Sequence, residues 1–286
     1  MKLIRFGESG NEKPGLILDD GRRVDASACA EDFDEQFLGD GGLDKLRGWI
    51  TSGGAAGAPE IPADTRLGSP LARPSKLLCI GLNFKDHAAE TNTPLPEEPV
   101  LFSKATSALT GPNDDIIIPK GSEQTDWEVE IAVVISKRAN YISEAEAPGH
   151  IAGYVLHNDV SERSFQKDRG GQWVKGKSAD SFAPLGPFLA TPDEIADVDS
   201  LRMWLEVNGE TMQDGNTSNL IFKIPHIVSY LSQFMSLLPG DIISTGTPAG
   251  VGMGMNPPRF LKAGDVVELG IDGLGSSKQN VVAYSP

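Results

Sequence analysis

The chain has 286 residues, and its 40 acidic against 25 basic side chains give a formal charge of −15. Such a surface repels phosphate backbones and anionic lipid, which excludes nucleic acid and membranes as general partners and leaves a small molecule. An anionic substrate then needs a local positive centre, for which a bound metal ion serves.

Met1 leads directly into a strand-like segment, and no stretch approaches the roughly 20 apolar residues that span a bilayer, so a cytoplasmic location is expected. Residues 1–27 read as short strands broken by Gly, Asn and Asp turns, followed by an acidic helical patch from Glu31 to Trp49. A Gly-, Ala- and Pro-rich stretch then runs to Pro74. The chain is accordingly divided into a small N-terminal α/β module, residues 1–72, and a larger catalytic unit, residues 73–286.

Cys79 lies inside the apolar run KLLCIGL, and with Cys29 it forms no CxxC or metal-binding spacing, so it is read as a buried hydrophobe. The segment GLNFKDHAAE follows. If it turns helical, His87 and Glu90 share a face, where a carboxylate can orient an imidazole that activates water. Residues 83–98 and the later QKDRGGQW loop are candidate lids, the second because Gly170 and Gly171 free its backbone.

In TDWEVEIAVVI, Trp127, Val129, Ile131, Val133 and Ile135 fall on one face of a strand and Glu128 and Glu130 on the other. Residues two apart on a strand stand roughly 6.5–7 Å apart, close enough for two carboxylates to meet on one cation. An exposed edge strand with alternating charge has the same pattern. Here, however, the acidic face continues as Ala132 and Val134, which implies burial on both sides, and two buried glutamates repel each other without a cation or proton. Asp159, at the end of the apolar run IAGYVLHND, is the third candidate ligand. Three carboxylates make a hard, oxygen-only site suited to Mg2+, with Mn2+ or Ca2+ as alternatives.

Farther along, a helix is expected from about Pro225 to Leu238, stopped by Pro239 and Gly240, with His226 as a structural or solvated residue. PGDIIS and AGDVVE each place a Gly-Asp turn before a strand. The many short apolar runs between turn residues indicate a β-rich α+β fold rather than a doubly wound sheet.

Taken in order, GLNFKDHAAE, WEVEIAVVI, GYVLHNDVSER, QWVKGKSADSFAPLGP and LLPGDIISTGTPAGVG resemble the fumarylacetoacetate hydrolase superfamily over residues 76–282. The resemblance implies a mixed β-roll with a small N-terminal domain, usually a homodimer. By the same likeness Glu128, Glu130 and Asp159 are the metal ligands, and His87 and Glu90 the catalytic pair. Lys177 stands near the bound oxo acid, Gly246, Thr247 and Pro248 form the loop that holds its carboxylate, and Gln166 is a second substrate contact. The implied activity is metal-dependent hydrolysis of a C–C bond in a 2,4-dioxo acid, with 2,4-didehydro-3-deoxy-L-rhamnonate as a particular candidate. Ureidoglycolate cleavage, oxaloacetate decarboxylation and 2-oxo acid isomerisation are the alternatives, and a catalytically inactive binding protein is the remote one.

Overall fold

In the computed structural model, residues 1–90 and 94–285 are described. Strands β1 (Lys2–Phe6), β2 (Lys13–Ile17) and β3 (Arg23–Asp25) precede helices α1 (Glu35–Gly39) and α2 (Gly42–Thr51). Next come β4 (Leu67–Gly68), β5 (Leu77–Gly81), α3 (Lys85–Glu90), β6 (Val100–Lys104), β7 (Leu109–Thr110) and β8 (Ile116–Ile118). The middle of the chain forms β9 (Thr125–Asp126), β10 (Val129–Ile135), β11 (Ile151–Asn158), β12 (Ser161–Glu162), α4 (Arg163–Lys167) and α5 (Val174–Lys177). It continues through β13 (Ala183–Pro184), β14 (Leu189–Ala190), β15 (Arg202–Val207), β16 (Glu210–Asn216) and α6 (Ile224–Ser232). The last strands are β17 (Ile242–Ser244), β18 (Val266–Ile271) and β19 (Gly275–Ala283).

A ten-stranded sheet runs β3-β2-β1-β14-β11-β10-β17-β5-β6, with β4 on β1, and a five-stranded sheet runs β16-β15-β18-β19-β8. Strand β10 sits between antiparallel β11 and β17, and all seven of its residues are buried. Burial on both faces explains why its apolar run is nearly continuous. The five-stranded sheet packs over β10 and β11 through β15 and β18. Accordingly β15 alternates, burying Met203, Leu205 and Val207 and turning Arg202, Trp204 and Glu206 outward. The architecture is the β-rich α+β arrangement that the turn-punctuated sequence indicates.

Hydrogen bonding crosses the compositional boundary near residue 72. Strand β1 pairs with β14, Lys2 opposite Ala190, so the first strands extend the main sheet, and Arg66 bonds Asp114 at 2.6 Å. One expected element is shorter than the pattern implies: α6 ends at Ser232 instead of near Leu238. Beyond it Leu237 leaves the helical path to exchange backbone hydrogen bonds with Ala139, a tertiary pairing that overrides helix propensity. No helix among the described residues is long and apolar enough to cross a membrane.

Candidate functional site

Glu128 and Glu130 alternate along the entry of β10, and Asp159 follows β11 directly. The Asp159 amide donates to the Glu128 carbonyl at 2.9 Å, which locks the two strand ends together. One carboxylate oxygen from each of the three residues lies within 4.8 Å of the others, and all three side chains are buried. Burial, with Asp159 and Glu128 alongside, holds the Glu130 carboxyl well above the usual carboxylate range. A pocket of this kind calls for positive charge, and its oxygen-only donors fit a hard divalent cation. Glu130 is oriented by its Oε2, which accepts from Ser244 Oγ at 2.5 Å and from the Gly246 amide at 2.9 Å.

Three buried cations surround the cluster. Lys177 Nζ donates to Glu128 Oε2 and Asp159 Oδ2, both at 2.7 Å, and sits 4.9 Å over the Phe102 ring. Lys104 Nζ bonds the other Asp159 oxygen and the Val160 carbonyl. Arg163 bridges Asp126 at 2.8 Å and Glu128 at 2.7 Å. Burial opposes the charged form of Lys177, but Asp159 and Glu128 outweigh it and raise the ammonium above its ordinary value. Burial likewise would raise Asp159, yet Lys104 and Lys177 hold it below the usual range. With Glu130 ionised, as a metal ligand would be, four described carboxylates (Asp126, Glu128, Glu130, Asp159) face three described cations (Lys104, Arg163, Lys177), one negative charge in excess. A divalent ion turns that balance positive by one, which suits an anionic substrate.

Residues 85–90 do form α3, and His87 Nδ1 lies 3.3 Å from Glu90 Oε2. The pair is held from two sides. Asn83 ties the helix entry to the chain beyond β17, donating to the Thr245 carbonyl at 2.7 Å and accepting from the Phe222 amide at 2.8 Å. The Gly250 amide donates to Glu90 Oε1 at 2.9 Å, while Gly252 and Met253 donate to the Asp126 carboxylate at 2.7 and 3.0 Å. One glycine-rich loop therefore grips both Glu90 and the partner of Arg163. Gly246 has a φ of +108°, and a Cβ there would stand 2.9 Å from that of Asn83, so only glycine allows its amide to reach Glu130.

These groups open onto a cavity of about 160 Å3 lined by His87, Glu128, Glu130, Arg163, Gln166, Lys177, Gly246 and Thr247. Its remaining wall includes Phe102, Trp173, Leu82 and Met253, the two aromatic rings lying 5.2 Å apart. Glu90 stands behind His87, and Pro248 lies outside the lining, its carbonyl accepting from Gln213 at 2.9 Å. Gln166 accepts from Arg163 at 3.1 Å. The Thr247 hydroxyl is consumed by the Val129 carbonyl and Gln213, but its backbone N–H donates to no described residue. Of the two candidate lids, residues 91–93 lie outside the described residues, and Gly170 and Gly171 both take positive φ.

His226 is outside this lining, stacked between Phe222 and Tyr230 and paired with Glu144 at 2.8 Å. Cys79 is fully buried and its thiol is pushed up by burial, which agrees with a hydrophobic role. Sequence reasoning missed Lys104, Asp126, His157 and Ser244 and gave Arg163 no role. Burial pushes His157 down to about 3 against the pull of Asp159, with Lys104 and Lys177 adding to the fall.

Comparison with known proteins identifies the family. The model for the C-terminal region of fumarylacetoacetate (FAA) hydrolase matches residues 76–282. A provisionally named hydrolase of Burkholderia ambifaria is 51% identical over 98% of this chain and 98% of its own. The solved fumarylacetoacetate hydrolase of psychrophilic Exiguobacterium antarcticum superposes with a TM-score of 0.86 at 34% identity, covering 99% of this chain and 100% of that one. Maleylpyruvate hydrolase from Sphingobium sp. SYK-6, solved with manganese(II) and pyruvate, gives 0.82 at 28% identity over 100% of both chains. With a buried acidic triad on its central strands and a family match that runs from β5 into β19, this chain belongs to the fumarylacetoacetate hydrolase family of enzymes.

Proposed function

We propose that the protein is a divalent-metal-dependent hydrolase that cleaves the C3–C4 bond of a 2,4-dioxo acid, giving pyruvate and the acid of the distal fragment. The observation that carries this reading is that Glu128 and Glu130, which cluster with Asp159, line one cavity together with His87, the partner of Glu90. Bound by the three carboxylates, Mg2+ or Mn2+ supplies Lewis-acid charge for the oxygens of a 2-oxo acid.

The chain's own groups supply the rest. A carboxylate can only accept, so Glu90 fixes the proton of His87 on Nδ1 and leaves Nε2 as the basic nitrogen. His87 Nε2 takes a proton from water as the water oxygen bonds to C4 and the C4 carbonyl π pair moves onto its oxygen. As that pair re-forms the carbonyl, the C3–C4 electron pair leaves with C3, and Nε2 returns its proton there. Lys177 and the uncommitted Thr247 amide provide donors for the substrate carboxylate, with Gln166 and Arg163 beside them. Phe102, Trp173, Leu82 and Met253 shield the reacting atoms from water and face the distal part of the substrate.

Product analysis tests this. With Mg2+ or Mn2+ present, 2,4-dioxo acids should give pyruvate plus a carboxylic acid, and 2,4-didehydro-3-deoxy-L-rhamnonate should give pyruvate plus lactate. Carbon dioxide and pyruvate from oxaloacetate alone, glyoxylate and urea from ureidoglycolate alone, or an unsaturated isomer without cleavage would replace hydrolysis by decarboxylation, lyase chemistry or isomerisation.

A further inference from the structure

Beside the metal cluster lies a buried chain of polar groups that the proposed reaction does not use. His157 on β11 stands directly opposite Glu130 on β10, and Ser244 on β17 stands opposite Ala132, two residues farther along β10. Paired residues on neighbouring strands point to the same side of a sheet, so His157, Glu130 and Ser244 share one face. The side chain of His157 reaches across β10, and its Nδ1 lies 2.7 Å from Ser244 Oγ. Ser244 Oγ in turn lies 2.5 Å from Glu130 Oε2. All three groups are buried, His157 and Ser244 completely.

Proton bookkeeping gives this chain a direction. Glu130 as a metal ligand is an acceptor only, so the single Ser244 proton points at it. Ser244 must then accept from its other neighbour, which puts the imidazole proton on Nδ1. His157 Nε2 is buried with no hydrogen-bond partner among the described residues. An uncharged ring with its bare nitrogen buried and unpartnered among the described residues matches that assignment, because a protonated ring would leave an N–H donor unsatisfied there. The imidazole therefore has one polar engagement, and it is directed through Ser244 at the carboxylate. The Gly246 amide approaches the same oxygen, so Glu130 Oε2 receives two donors while Oε1 has no described partner and remains available to an ion.

We infer that His157 is a positioning residue that acts through Ser244 to hold Glu130 in the orientation required for binding the divalent cation. The inference rests on the metal-site reading above and adds two members to it. Groups of this kind around metal ligands typically change metal affinity by about 10- to 100-fold when removed.

The test measures Mn2+ affinity by calorimetry on the full-length protein and on S244A, H157L, H157N and the H157L/S244A double variant, with circular dichroism and melting temperature as folding controls. S244A and H157L should each weaken Mn2+ binding by about 10-fold or more. H157N, whose amide nitrogen stands near the place of Nδ1, should bind within about threefold of wild type. Because His157 acts through Ser244, the double variant should be no weaker than S244A alone. Wild-type affinity in both S244A and H157L, additive losses in the double variant, or equal losses in H157N and H157L would overturn the relay while leaving the metal site intact. Absence of Mn2+ binding by the wild-type protein would overturn the metal reading and the relay together.

Discussion

Replacing Lys177 by methionine isolates the electrostatics of the site. The ammonium is 2% exposed and donates to Glu128 and Asp159 at 2.7 Å each. Methionine keeps most of the stem that packs near Phe102 and removes the charge. The buried carboxylates would then face only Lys104 and Arg163, one positive charge fewer than in the wild type. Breaking a buried pair by removing one partner costs about 3–5 kcal/mol. For a chain of this size each kcal/mol shifts the melting temperature by about 2–4 °C, so the metal-free variant should melt roughly 6–20 °C below wild type. A divalent ion replaces part of the missing charge. Mn2+ at about 100 times its Kd adds about 2.7 kcal/mol to the stability of any form that binds it only when folded. Scanning calorimetry in EDTA and then in Mn2+ gives both numbers. A Lys177→Met protein that melts within about 2 °C of wild type in EDTA refutes the charge argument. Lys177→Arg should not rescue activity fully, because a planar guanidinium cannot fill the place of a compact ammonium between two carboxylates.

Other expectations follow from the same geometry. His87→Ala should lower turnover on the best 2,4-dioxo acid by about 10²- to 10⁴-fold with Mn2+ affinity nearly unchanged, measured by stopped assays and calorimetry; wild-type turnover would remove His87 from the mechanism. Gly246→Ala puts a Cβ 2.9 Å from that of Asn83 at a φ of +108°, and should cost about 1–3 kcal/mol in denaturant titrations and weaken Mn2+ binding through the displaced amide. Mg2+ should raise the melting temperature, and oxalate, which resembles the enolate of pyruvate in charge and shape, should raise it further only when the metal is present. No shift with either would favour an inactive binding protein.

The parts of the site legible in the sequence are those set by local periodicity. Alternation along residues 127–135 put Glu128 and Glu130 on one face, and the length of the following apolar run put Asp159 at a strand end. The spacing of His87 and Glu90 required only that six residues be helical. What the sequence hid is long-range: Lys104 meets Asp159 55 residues away, and Ser244 meets Glu130 114 residues away. Neither position carries a local signal, since one basic residue on an edge strand and one serine near a Gly-Asp turn are ordinary there. Likewise no pattern near Leu237 announces its pairing with Ala139, which is why α6 stops earlier than its apolar periodicity indicates. The pairing of β1 with β14 escapes for the same reason, as its partners are almost two hundred residues apart in the chain.

The three carboxylates hang from neighbouring central strands, whereas the rest of the cavity wall is assembled from separate outlying pieces: Leu82 just after β5, Phe102 on the edge strand β6, Trp173 before α5 and Met253 in the glycine loop. Altering any one of these outlying pieces leaves the ladder between β10 and β11 untouched. Such a layout separates inheritance of the reaction from choice of substrate. A lineage can keep its cation and its base while exchanging what it digests, and a laboratory that randomises only residues 82, 102, 173 and 253 should recover altered preference without loss of metal affinity.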